Sequence, residues 1–257
     1  MTLGFIGTGV ISEAIVTGLL KAKYPAETIY LSARSREISA RLAMLSEKVR
    51  VCETNDEIVA KADVVFLAVR PQHAKDVLEP LSFRSGQVVV SLIATVSIDD
   101  LNGWTHPEAN VCRAIPLPSV SELNGVTAVF PPLRVATDIF DYLGQAVAAN
   151  SLREFDAYAV ASAMMGFYFG VAETAAQWLS QQGARYEASQ VYLAKMFQAL
   201  TETAIQRPDQ SFEDLRLGHT TPGGLNAQLH ETFSGQGGTD ALVLAFEAVA
   251  ERIRNNH

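Results

Sequence analysis

The chain has 257 residues, 48% of them hydrophobic, enough to bury one large core or two smaller ones. Its formal net charge is −8 and it carries no Lys/Arg stripe, which argues against nucleic acid as a partner. An anionic small ligand stays allowed, because helix dipoles and one or two arginines bind it locally.

The chain starts on a strand signal, which predicts no leader. The two cysteines, Cys52 and Cys112, form no C-x-x-C pair and predict buried thiols in a reducing, cytoplasmic compartment. Histidines 73, 106, 219, 230 and 257 show no metal-ligand spacing, so no metal site is expected. Residues 157–172 are uncharged but shorter than the roughly 20 apolar residues of a membrane span. They predict a buried core helix and no membrane partner.

Residues 4–14 read Gly4-Phe5-Ile6-Gly7-Thr8-Gly9-Val10-Ile11-Ser12-Glu13-Ala14. An apolar strand enters a glycine pair and leaves as a helical pattern. Gly7 permits the turn, Gly9 lets backbone approach a pyrophosphate, and the helix N-terminus points its free N–H groups at the phosphates. Gly7, Thr8, Gly9, Val10 and Ile11 are therefore predicted to touch a dinucleotide, with Ser12 as the third, small fingerprint residue. A glycine turn without ligand is the alternative.

The next strand, Thr28–Leu31, leads into Ser32-Ala33-Arg34-Ser35-Arg36. An NAD-preferring fold places an acid here for the ribose 2′-hydroxyl. None is present. Arg34 instead offers a forked grip on a 2′-phosphate, with Ser32 or Ser35 adding a hydroxyl, which predicts NADPH over NADH. Arg36 reads as a solvated charge.

Residues 62–69 and 87–93 are β-branched runs of the kind buried on both faces. Helical stretches are expected near 37–45, 56–60 and 73–81, and further strands at 110–114 and 126–130. This alternation predicts a Rossmann-type, doubly wound, mostly parallel sheet over residues 1–152. The strand ends at Val69, Ile93 and Ala114 should share the ligand edge with the glycine loop. Arg113 is either an anion contact or a solvated strand-end charge.

After Asn150 the strand signals stop. Helices are predicted over 153–183 and 187–207, parted by Gly183-Ala184-Arg185, then over 225–233 and 238–254 behind a loop at 218–224. The expected second unit is an all-helical domain over 153–257. Val160, Met164, Phe167 and Val171 form one apolar stripe and Met165, Tyr168, Phe169 and Ala172 another. A helix apolar all round must be enclosed. So few helices hardly enclose one another, which predicts a homodimer or higher homo-oligomer formed through this domain.

In sum of motifs the chain resembles the pyrroline-5-carboxylate reductase family along essentially its whole length. The resemblance rests on the opening glycine run, on Ala68-Val69-Arg70-Pro71-Gln72 (the family's A-V-[KR]-P-Q), on Arg113-Ala114-Ile115-Pro116-Leu117-Pro118 (R-x-M-P-N-x-P), and on Thr220-Thr221-Pro222-Gly223-Gly224 (T-S-P-G-G). It implies an enzyme of proline biosynthesis in which NADPH delivers hydride to the C=N carbon of a cyclic imino acid. It places Ala68, Val69, Arg70 and Pro71 at the cofactor. Thr220, Thr221, Gly223, Gly224 and Asn226 fall at the substrate, with Thr221 and Asn226 as the catalytic pair. Independently of the resemblance, the glycines of that loop leave N–H groups free ahead of a helix start, which suits a carboxylate. The loop also reads as a plain helix cap with Thr221 as N-cap and Pro222 in the first turn.

Departures from the family fall on the substrate side. Leu117 stands for Asn and Asn226 for Thr. The S-G-S-G-P-A-Y helix start appears as Ser162-Ala163-Met164-Met165-Gly166-Phe167-Tyr168. A related or bulkier imine is therefore an open reading. A β-hydroxyacid dehydrogenase would need a helical-domain Lys as acid/base, and Lys195 reads better as a surface residue. The alternative from another class is an NADP-binding sensor or interaction protein that has lost catalysis.

Overall fold

Leu3, Phe5 and Ile6 are fully buried in β1 (Thr2–Ile6), and Phe5 stacks on Phe66 with ring centroids 4.6 Å apart. The two are register partners, since β1 pairs in parallel with β4 (Val64–Leu67). The computed structural model describes residues 1–255, so His257 lies outside it. One compact unit comprises Met1–Ala159 with the last turn of the final helix from Arg252; the other is Val160–Glu251.

In the first unit the chain runs β1, α1 (Val10–Lys21), β2 (Thr28–Ser32), α2 (Arg36–Leu45), β3 (Val49–Cys52), α3 (Asn55–Lys61), β4, α4 (Ala74–Leu78), β5 (Val88–Ser91), α5 (Ile98–Trp104), β6 (Asn110–Pro116), β7 (Gly125–Phe130), α6 (Arg134–Asp141) and β8 (Gly144–Ala148). The eight strands form one sheet in the order β3-β2-β1-β4-β5-β6-β7-β8. Every pairing is parallel except β6 with β7. This is the expected doubly wound, mostly parallel sheet. Two strands escape the periodicity, β3 and β8. Both are sheet edges, and each exposes several residues, so neither carries the continuous β-branched run of a central strand.

The helices are fixed at their ends as well as by their faces. Thr54 caps α3, its hydroxyl accepting from Glu57 N–H. Arg84 closes the other end, its guanidinium donating to the carbonyls of Val59, Ala60 and Ala62 at 2.6–2.7 Å. Asp63 then fastens β1: its carboxylate accepts from the Thr2 N–H at 2.7 Å and the Thr2 hydroxyl at 3.0 Å. Gly18 lets α1 lie directly on the 3-10 turn Pro118–Glu122, since a Cβ there would sit 2.3 Å from the Val120 carbonyl oxygen.

A continuous helix, α7 (Leu152–Ser162), starts at the expected domain boundary and ends three residues beyond Ala159. The helical unit continues with α8 (Met164–Gln181), α9 (Tyr186–Gln206), α10 (Phe212–Gly218), α11 (Leu225–Gly235) and α12 (Gly238–Arg254). The single helix expected over 153–183 is thus two, broken at Ala163. α10 opens on a capping box of Ser211 and Asp214, an element the sequence pattern did not announce. α8 and α9 pack together across the Gly183 turn, with Tyr168 edge-on to Phe197 at 5.3 Å and the Tyr186 hydroxyl donating to Glu173 at 2.5 Å.

The expectation of a buried core helix at 157–172 fails within this chain. Phe167 is 46% exposed, Phe169 68% and, further along α8, Trp178 58%. By length and composition alone residues 152–181 are apolar enough to cross a membrane, and only Phe155, Val160 and Ala176 among them are buried.

Candidate active site

The glycine loop is built at the carboxyl edge of β1. Gly7 has φ +95, and a Cβ there would lie 2.4 Å from the Ala68 carbonyl oxygen, so the loop presses onto the exit of β4. Its other supports are hydroxyls. Gly7 N–H donates to Ser32 Oγ at 3.0 Å, Thr8 Oγ1 donates to the Ser32 carbonyl at 2.8 Å, and Ser12 Oγ donates to the Gly7 carbonyl at 2.7 Å. This corrects the role expected for Ser32. It is 4% exposed with its hydroxyl engaged by the loop, so it holds the loop's shape and does not face a 2′-phosphate. The Thr8 side chain is buried in the same way, which leaves only its backbone for a ligand.

Gly9 is the N-cap of α1 and supplies no side-chain cap. A Cβ on it would meet nothing within 4 Å. Val10, the first helical residue, is 74% exposed, and Ile11 is half-buried. The first N–H groups of a twelve-residue helix therefore open onto clear space, which is the cradle a pyrophosphate requires. Beyond the end of β2, Arg34 is exposed and has no ion-pair partner among the described residues. Ser35 is half-buried and starts α2 without a side-chain cap bond. Ala68 donates its N–H to the Ile6 carbonyl at 2.8 Å, Val69 is buried, and Arg70 and Pro71 are exposed where a 3-10 turn opens at Pro71. The residues present fit an NADP-type dinucleotide.

Of the two sequence readings of Arg113, the solvated strand-end charge fails. It is 5% exposed, its guanidinium lies 4.9 Å from the centroid of the Phe155 ring, and its Nη1 is 4.0 Å from Asp156. Burial pushes the guanidinium pKa down, and the Asp156 carboxylate opposes that shift. Period-two alternation could not reveal this, because β6 is buried along most of its length.

In the helical unit the loop 219–226 is braced by its own groups. Thr220 Oγ1 donates to the Arg216 carbonyl at 2.7 Å, Gly224 N–H donates to the Thr221 carbonyl at 2.8 Å, and Gly223 has φ +70. Thr220 thus anchors the loop with its hydroxyl and does not offer it outward. Thr221 is exposed but is not the N-cap. Gly224 is, again without a side-chain cap, and Pro222 lies outside the helix. Asn226, on the first turn of α11, donates its amide to the His219 carbonyl at 2.7 Å. The bond directs Asn226 Oδ1 to act as the acceptor. Met164 and Met165 open α8 at 40% and 43% exposure. Leu117 is half-buried ahead of the 3-10 turn. Lys195 is exposed and donates to Gln198 at 2.9 Å, in keeping with a surface residue. Among the described residues no three His, Cys, Asp or Glu side chains gather in a group that could hold a metal ion.

Residues 2–95 match the family model described as "NADP oxidoreductase coenzyme F420-dependent", and residues 154–256 match "Pyrroline-5-carboxylate reductase dimerisation". A pyrroline-5-carboxylate reductase from Pisum sativum is 30% identical over 98% of this chain and 95% of its own length. Among solved structures, a pyrroline-5-carboxylate reductase from Coxiella burnetii superposes with a TM-score of 0.88 at 23% identity, covering 99% of this chain and 97% of that one. The pyrroline carboxylate reductase of Plasmodium falciparum, solved with NADP bound, does so with a TM-score of 0.85 at 18% identity, covering 100% and 98%. These two likenesses establish the fold, and the pea enzyme's match along nearly its whole length establishes the lineage. The chain belongs to the pyrroline-5-carboxylate reductase family, NAD(P)H-dependent oxidoreductases acting on a C=N bond.

Proposed function

We propose that this chain is an NADPH-dependent reductase of a small cyclic imino acid, either pyrroline-5-carboxylate, giving proline, or a close relative. The observation that carries the cofactor is the uncapped α1 N-terminus at Gly9, followed at the end of β2 by the exposed, unpaired Arg34 where an acid would favour NADH. The Plasmodium protein of the same fold was solved with NADP bound, which supports the same reading. The buried free thiols of Cys52 and Cys112 support a reducing, cytoplasmic setting.

When bound, NADPH supplies the hydride that reduces the imine carbon. A protonated imine is already electrophilic, so the protein needs no strong acid. Its work is to bind the carboxylate, orient the ring and exclude water. The Gly224 N–H is taken up by the Thr221 carbonyl, so the N–H groups of Gly223 and of the first turn of α11, with the Thr221 hydroxyl, are the ones that suit the carboxylate. Asn226 Oδ1, oriented by the His219 carbonyl, accepts from the iminium N–H until hydride transfer leaves a neutral amine. Leu117, Met164 and Met165 add apolar bulk relative to the family pattern, which supports an imine different from, and more apolar than, pyrroline-5-carboxylate. The helical unit makes the homodimer.

The test is a panel of five-membered, six-membered and sulfur-containing cyclic imino acids assayed with both nicotinamide cofactors. At least one imine is reduced, with kcat/KM higher for NADPH. Arg34→Ala weakens NADPH by roughly 1.5–3 kcal/mol, the worth of a charge-assisted contact, and leaves NADH nearly unchanged. Thr221→Ala raises KM more than it lowers kcat, whereas Asn226→Ala lowers kcat. An NADPH-binding protein that turns over no imine replaces this reading with that of an NADP-binding sensor.

A further inference from the structure

Strand register places one charge in an unusual position. Ile6, Leu67, Ser91, Arg113 and Phe130 are successive partners across β1, β4, β5, β6 and β7. They form the row on which the glycine loop and the Ala68–Pro71 segment begin. Arg113 is the sole charged side chain in that row, and it is buried. Burying an arginine is costly unless its charge is matched. Here a partial match comes from one short stretch of α7. Phe155, 1% exposed, presents its ring to the guanidinium, and Asp156 supplies a carboxylate at 4.0 Å, an ion-pair distance beyond hydrogen bonding, so that Arg113 Nη1 makes no hydrogen bond among the described residues. Phe155 also belongs to a small apolar cluster with Ala128 and Ala149, separate from the two larger cores. Ile115 and Phe130 pack against the same cluster, with the Phe130 and Phe155 ring centroids 6.2 Å apart, and Arg113 adds a charged contact to this apolar anchorage of the first turns of α7.

We propose that Arg113 is a positioning residue for the reductase reaction: its grip on Phe155 and Asp156 fixes the start of α7 against the ligand-bearing edge of the sheet. The guanidinium lies over the Phe155 ring at 4.9 Å and within 4.0 Å of the carboxylate at once, and an ammonium lacks the flat face for the first of these contacts. The inference rests on the imine-reductase reading for its kinetic arm, and amide exchange reads it without any substrate.

The experiment compares the full-length protein with Arg113→Lys, Arg113→Met and the double variant Arg113→Met/Asp156→Leu. Exchange of the 152–162 amides, melting temperature, NADPH dissociation constant and steady-state kinetics are measured on each. Arg113→Lys, the mildest change, is expected to fold and to bind NADPH within about twofold of the parent. It should exchange the α7 amides at least fivefold faster and lose at least tenfold in kcat with little change in imine KM. The double variant, which leaves no buried charge, is expected to regain melting temperature but not kcat. Recovery of both by the double variant would make the pair a purely structural contact and overturn the proposal. Parent-like exchange in Arg113→Lys overturns it too, as does a loss of NADPH affinity in step with kcat, which would make Arg113 a nucleotide contact. If the parent protein reduces no imine, the functional reading fails on its own, and the exchange result still decides whether Arg113 fixes α7.

Discussion

At Gly7 a methyl group has nowhere to go, and at Gly9 it has nothing to touch. The Cβ of Gly7→Ala would lie 2.4 Å from the Ala68 carbonyl oxygen on a backbone at φ +95, where an L-residue costs about 1–2 kcal/mol before any clash. That variant is expected to lose about 3 kcal/mol or more of stability in urea unfolding, within the range of large, mechanism-specific effects. Gly9→Ala has allowed dihedrals, φ −101 and ψ −168, and no protein neighbour within 4 Å. It is expected to melt within a degree or two of the parent yet bind NADPH at least tenfold more weakly. Equal losses in both assays for the two variants would refute the division of labour. The glycine spacing was legible because the turn admits no other residue type. Ser32 was misread for a physical reason: strand alternation buries Leu31 and should turn Ser32 outward, but the hydrogen bonds from Gly7 and Thr8 bury it as well. Asn226 was legible as a polar group on the loop, whereas the His219 carbonyl that orients it lies seven residues away and carries no sequence signal.

Among the elements, the strands buried on both faces were readable, while the sheet edges and the helices α5, α6 and α10 were not. The edges β3 and β8 lacked a buried run, and the break between α7 and α8 falls at Ser162-Ala163-Met164, with neither Pro nor Gly to mark it. End contacts also set the acid response of the sheet. The Thr2 N–H, and then its hydroxyl, hold the Asp63 carboxyl below the usual carboxylate range. A carboxylate depressed in the folded state stabilises it above the unfolded value, about 3.9, and loses that stabilisation as pH falls through the lower folded value. Asp63→Ala is therefore expected to cost about 1 kcal/mol near pH 7, the modest net worth of a hydrogen bond to a solvated charge. The difference from the parent should shrink below about pH 4 and vanish in stronger acid. Urea unfolding at pH 7, 4 and 2.5 measures it, and a difference that grows in acid would contradict the assignment.

For the molecule as a whole, the two-unit plan was readable from the point where strand signals stop, while what encloses the helical unit is absent from any single chain. Val191, Tyr192, Ile205 and Phe212 are 64%, 68%, 71% and 83% exposed, together with the Phe169 and Trp178 of α8. Apolar exposure on this scale in one unit marks a surface that a partner covers. Sedimentation at micromolar concentration is expected to show a dimer or a multiple of one. Phe169→Glu/Trp178→Glu is expected to shift the protein toward monomer and reduce its melting temperature, with NADPH binding kept by the sheet unit. A parent protein that sediments as a stable monomer would remove the homodimer from the description.

Both thiols lie inside the sheet unit, and the helical unit has none. Burial alone pushes the Cys112 thiol up to about 12, and burial also raises that of Cys52. Only the thiolate reacts, so a native molecule should be nearly silent toward a disulfide reagent at neutral pH. The chain thus carries a built-in clock: each labelling event marks an opening of the nucleotide-binding sheet, with no background from the other unit. The labelling rate should rise with urea in parallel with unfolding, and NADPH should slow it by mass action on the closed state. Prompt stoichiometric labelling of either thiol in native buffer would show that the sheet is looser than its packing implies.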